Sequence, residues 1–299
     1  PLEGVSTSTV TPVDCVHTYA SARAYVDGRP QGAQPLTYAL QGIRVRGVEN
    51  PQGFGIDERR FAAMEDYSRA IEYGRKKGAS VFIGTPRIVK EMRDYTDLNP
   101  DGYLVANLGV LYHLRKQDMN KPIVIDYPFN VFNRLTMEHL LNPVFKYGEY
   151  CQRVTLSPEL TLKEIKNLSP FGQTECIVHG FFPLMVSEHA LVSGLFSHHG
   201  TGNGLLKDEK GFAFPVKTDR QNRTYVMNSR ELCMLEHLSE IIKAGVNCLR
   251  IEAKTYDKDM TKEITRAYRE AIDNIICGKK VEKQCPEDYT TGHYFRGVL

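Results

Sequence analysis

No run of apolar residues in this 299-residue sequence approaches the roughly 20 that a membrane-spanning helix requires. The N-terminus also lacks the basic-then-apolar pattern of a secretory signal, so no membrane partner is expected. The seven cysteines contain no CxxC pair and are odd in number. That argues against a disulfide framework and for a reducing, cytoplasmic setting. Charge of one sign is not in excess either: 38 basic against 36 acidic residues leave a formal +2. So even a balance does not announce nucleic acid, and an RNA partner is not indicated by charge. The common hydrolytic motifs are missing as well, with no GxSxG elbow, no HExxH helix and no Asp-Thr-Gly. The Gly-rich stretch "SHHGTGNG" is not a Walker loop. The first residue is Pro1 rather than Met, which leads us to expect a piece of a longer polypeptide.

What is present is an alternation of short apolar runs with helical patterns. Strands are expected at 38–47, 80–85, 101–107, 122–127, 153–157, 175–180 and 248–253, with a first strand somewhere in 5–16. Helical patterns fill 61–77, 108–116, 135–147, 161–168, 228–244 and 258–277. Strand and helix in turn imply parallel strands with right-handed crossovers. Eight such units point to one domain over 1–299, a modified (βα)8 TIM barrel, with residues 1–60 the weakest part of the assignment. The link between the seventh and eighth strands, residues 181–247, far exceeds an ordinary βα loop and is expected to form a long rim insertion carrying a helix.

Alternation along the strands sorts their faces. In "CLRIEA", Arg250 and Glu252 share one face and Leu249 and Ile251 the other. In "ECIVHG", Glu175 and His179 fall together, and in "RVTLS" Arg153, Thr155 and Ser157 do. If the aliphatic faces pack on helices, the interior holds Arg153, Glu175, His179, Arg250 and Glu252. Such a set is either a structural ion network or a ligand pocket. As a pocket, with Asn107 nearby, it would take a peptide or small anionic ligand, Arg250 holding the anion and Glu252 or His179 acting as acid or base.

The stretch "NSRELCMLEHL" raises a second possibility. Asn228 reads as an N-cap, and Cys233 and His237 then project from one helical face. A thiolate and an imidazole suit zinc, which wants four ligands in structural sites. His179, His189, His198, His199 or a second copy of the chain across a two-fold axis would complete the set, giving a homodimer through a shared metal. The alternative is that Cys233 packs in the core with Leu232, Leu235 and Leu238.

Several blocks in order, "FIGTPRIVKEM", "PDGYLVANLGVLYHLRK", "LSPELTLKEI", "ECIVHG", "NSRELCMLEHLSEIIKAGVNCLRIEAK" and "TRAYREAID", closely resemble the collagenase-like peptidase family of unknown catalytic type, family U-32. The likeness covers approximately residues 80 to 299. It implies a barrel fold and a peptidase label, without an agreed catalytic set. Some relatives instead hydroxylate RNA bases or a quinone precursor without oxygen, and look to hold a 4Fe-4S cluster through four Cys. At the implied positions this chain keeps Cys233 but has Pro183 and Ala190, and no Cys lies between 177 and 232. An iron–sulfur cluster is therefore not expected, because it needs its thiolates. A Cys and His set suits zinc better. A peptide- or RNA-binding module, or a hydroxylase relative that has lost its cluster ligands, is the alternative reading.

Overall fold

The computed structural model describes residues 15–20, 37–40, 64–76, 79–90, 92, 98–117, 120–141, 150–181, 183–189, 191, 203–218, 223–253, 255–281 and 284–297. His198 and His199 lie outside them, as does most of residues 1–60.

Seven strands come first: β1 Cys15–Ala20, β2 Thr37–Leu40, β3 Ser80–Gly84, β4 Gly102–Val105, β5 Ile123–Ile125, β6 Cys151–Thr155 and β7 Thr174–Gly180. Each pairs in parallel with the next. An eighth parallel strand, Cys248–Ala253, pairs with β1 on one side and β7 on the other. The result is a mixed α/β fold around a strongly curled sheet. Helices cover its outer face: α1 Met64–Lys76, α2 Leu108–Lys116, α3 Arg134–Leu141 and α4 Leu162–Leu168. The β1–β2 crossover lies outside the described residues, and among them the β3–β4 link carries no α-helix, so a complete set of eight βα units is not established.

Local sequence accounts for these limits. The Asn107 side chain accepts from the backbone N–H of Gly109 at 2.8 Å and starts α2, which buries Val110, Leu111 and Leu114. Thr161 and Glu164 form a reciprocal capping box at the head of α4. Between them and the sheet lies one large apolar core. A second, smaller cluster of Phe82, Leu104 and Val124 occupies the other, concave face. Gly102 makes room for it, since a Cβ there would stand 2.2 Å from the Phe82 ring.

The segment 181–247 departs from expectation. It forms a four-stranded antiparallel sheet from β8 Pro183–Ser187, β9 Asn203–Lys207, β10 Ala213–Thr218 and β11 Thr224–Met227. Where one helix over 228–244 was expected, the chain makes β12 Glu231–Cys233, a 3-10 turn at Leu235–His237 and only then α5 Leu238–Lys243. β12 pairs antiparallel with the end of β7, a tertiary contact that overrides the local helical pattern. The eighth parallel strand, Cys248–Ala253, is thus β13; it leads into α6 Lys258–Ile276, capped by Asp257. The chain returns as β14 Tyr289–Thr290, which pairs parallel to β12. Among the described residues no helix is long and apolar enough to cross a membrane.

Candidate functional site

Arg250 is the largest fully buried side chain of the sheet interior. Its Nη1 donates to Asp126 Oδ1 at 2.5 Å and stands 3.6 Å from Glu175 Oε1, while Nη2 pairs with Glu252. Arg153 Nε donates to the other Glu175 oxygen at 3.1 Å, and Thr155 Oγ1 donates to Glu175 Oε1 at 3.0 Å. These groups come from β6, β7, β13 and the residue after β5. In the pairing order β6 and β7 separate β5 from β13. The Arg250–Asp126 bond therefore crosses the concave face, which places the cluster inside the curl. The Arg250 guanidinium carbon stands 5.7 Å from the ring centre of Tyr127, and burial followed by the Asp126 charge pushes that phenol well above the usual range. The β1 backbone sets His17 and Tyr19 opposite Arg250 and Glu252 in the ladder.

Of the expected interior residues, Arg153, Glu175, Arg250 and Glu252 meet as the alternation implied. Asp126 was missed, although an Asp closing the apolar run "PIVI" at a strand's C-terminal end is where barrel chemistry sits. Three carboxylates and two guanidiniums meet among the described residues. Asn107 is spent on capping α2 and on the Arg87 carbonyl.

His179 does not join this cluster. The β7–β13 ladder shifts so that Ile177 faces Arg250 but His179 faces Ile251. The extra residue, Val178, reverses the alternation, and His179 turns to the helical layer. Its ring meets Tyr268 of α6 edge-on at 5.4 Å. The Tyr268 hydroxyl donates to the Val178 carbonyl at 2.8 Å and accepts from the Met234 N–H at 3.2 Å. With its one proton committed, it must accept from His179 Nδ1, 3.2 Å away, which assigns the tautomer. Nε2 then faces Glu231 at 3.4 Å, and the same Glu231 oxygen accepts from the Tyr256 hydroxyl.

The zinc donor set does not fit. Cys233 is bonded to Cys285 as a disulfide, against the expectation of free thiols throughout. His237 leaves the Cys233 face, meets Phe295 edge-on at 4.7 Å and pairs with Glu240 at 3.7 Å. His189 donates its backbone N–H to Ser187. Among the described residues no group of three or more His, Cys, Asp or Glu could hold a metal ion.

The model of peptidase family U32 matches residues 56–294. The "Uncharacterized protease MJ0090" of Methanocaldococcus jannaschii is 25% identical over 269 residues, covering 78% of this chain and 63% of that protein. The tRNA hydroxylation protein P2 of Bacillus subtilis is 22% identical over 260 residues, covering 80% and 82%. The 23S rRNA 5-hydroxycytidine C2501 synthase of Escherichia coli is 20% identical over 239 residues, covering 75% and 35%. The chain thus spans less than two thirds of two of these three relatives. Among solved structures, the U32 peptidase Mk0906 covers 60% of this chain and is covered over 72% of its own, at 14% identity and a TM-score of 0.40.

Proposed function

This chain belongs to peptidase family U32, and from that membership we propose that it is a (βα)8 barrel domain that works on a polar ligand at the C-terminal mouth of its sheet. Arg250 holds Asp126, Glu175 and Glu252 in place; Glu252, nearest the end of β13, is the acid or base. The ligand offers amine, amide or hydroxyl donors, as a peptide or a nucleoside does.

One observation carries this reading: charges from four separate segments converge on a fully buried Arg250. Burying ions costs several kcal/mol each, and apolar groups of like volume are often as stable or more so. The Phe82, Leu104 and Val124 layer supplies the apolar solution on the same concave face. A charged layer beside it is a cost that stability alone does not call for.

The peptidase label supports hydrolysis of a peptide. The names of the Bacillus and Escherichia relatives support a second reading, base modification in RNA. Of the four positions where the family resemblance implies thiolates only Cys233 is a cysteine, and it is bonded to Cys285, so no iron–sulfur step is drawn for this chain. Both readings meet one test. The chain is assayed on an unfolded polypeptide, and expressed in a bacterium lacking its own RNA hydroxylation proteins, whose RNA nucleosides are weighed by mass spectrometry. Either cleavage or a restored hydroxynucleoside is expected, lowered at least about a hundredfold by Glu252→Gln. Activity that Glu252→Gln leaves intact would remove the cluster as the site.

A further inference from the structure

We propose that the Cys233–Cys285 disulfide is a thiol–disulfide exchange site that governs whether the segment 284–292 stays docked against β12. The inference is independent of the charge cluster. It begins from the unequal exposure of the two sulfurs: Cys233 is buried at 1%, whereas Cys285 is only partly buried. An external thiolate therefore meets Cys285 first.

The surroundings of Cys233 suit it as the leaving sulfur. The Tyr268 hydroxyl stands 4.0 Å from its Sγ and connects to His179, which faces Glu231 and through it Tyr256. The Tyr268 proton rests on the Val178 carbonyl, so the hydroxyl serves the sulfur only by turning from it.

The step balances as follows. One thiolate of a dithiol reductant attacks Cys285 Sγ, the Cys233–Cys285 bond breaks, and its electron pair goes to Cys233 Sγ. Cys233 takes a proton from the Tyr268 hydroxyl, which turns from the Val178 carbonyl and regains one from solvent as the segment opens. The second thiolate of the reductant attacks its own half of the mixed disulfide and expels Cys285 as thiolate. The protein gains two thiols and the reductant becomes a disulfide.

The tethering of 284–297 makes the bond decisive at one end only. Near Cys285 the ties among the described residues include a two-residue ladder, the exposed Arg230–Asp288 pair at 2.7 Å, a Cys285 N–H to Glu236 bond at 2.8 Å and the half-buried Tyr289 against the core. At the far end Tyr294 is buried, its hydroxyl donating to the Ile177 carbonyl at 2.6 Å and its own carbonyl accepting from the Leu162 N–H at 2.9 Å. Reduction should free residues 284–290 and slacken β12 while Tyr294 holds.

The test uses the whole chain after mild oxidation. A non-reducing peptide map should contain the 233–285 cross-link. On adding dithiothreitol, amide exchange over 284–290 and 231–233 should rise at least about tenfold, with β6 and Tyr294 unmoved. Cys285→Ser should show the faster exchange without reductant. Tyr268→Phe, checked for folding by circular dichroism, should slow reduction of the bond about tenfold. Free alkylation of both sulfurs after oxidation would overturn the proposal, as would exchange over 284–290 that ignores the reductant. A Tyr268→Phe rate equal to wild type would overturn the proton route.

Discussion

Replacing Arg250 with methionine keeps much of its volume but leaves Asp126, Glu175 and Glu252 together without the guanidinium that joins them. We expect a loss of about 3–5 kcal/mol in urea unfolding, the usual cost of removing one partner from a buried charge set. A loss under 1 kcal/mol would mean that the pairing is loose. Gly180→Ala should cost about 1–3 kcal/mol on the same measurement. Its φ is +114° and a Cβ would stand 2.3 Å from the Glu252 carbonyl oxygen. Thiol labelling tests burial directly. Burial pushes Cys151 up to about 11 and Cys176 to about 12, while Cys277 is exposed. Iodoacetamide at pH 8 should then alkylate the Cys277 peptide of the native protein and spare those of Cys151 and Cys176. Arg250, Glu252 and Glu175 were legible from strand alternation because β13 runs unbroken in register with β1 and Glu175 precedes the extra residue of β7. His179 was not, because period-two reading assumes an unbroken strand and β7 carries an extra residue.

α4 offers the cleanest test among the elements. Thr161→Ala removes its N-cap and should cost about 1 kcal/mol by denaturant titration. The bonds from Thr161 lower the Glu164 carboxyl below its ordinary value. A depressed carboxyl contributes stability above its unfolded pKa and loses it as pH falls through the folded one. The Thr161→Ala penalty should therefore shrink in acid, below the ordinary glutamate range, and a penalty constant with pH would refute the coupling. The strands from Ser80 to Gly180 and β13 were readable because each is a short aliphatic run bounded by polar residues. "NSRELCMLEHL" was misread: its polar start and four-residue spacing satisfy a helix, and nothing local reveals that β7 will recruit it as a strand. The antiparallel sheet did leave a signal. "KDEKG" between two apolar stretches is hairpin punctuation, and the structure closes it with Gly211 N–H to the Asp208 carbonyl at 3.1 Å and a positive φ at Gly211.

For the whole molecule, the parallel order and the mixed α/β class followed from the alternation of strand and helix, and the sheet has that parallel order from β1 to β7 and β13. The concave charge layer could be anticipated strand by strand, but its convergence could not, since Asp126 and Arg250 lie 124 positions apart in sequence. The disulfide was illegible for a related reason: Cys233 and Cys285 are 52 residues apart, and spacing says nothing about which cysteines a fold brings together. β7 turns out to serve two compartments, with Glu175 in the interior and His179 among the helices, and the switch between them is one inserted amino acid. Excising Val178 would restore strict pleating and leave the imidazole opposite Ile251, among the helices, because the strand would lose one residue and one bulge together. Whether family members differ by that single position is a parity question that their strand lengths alone would answer.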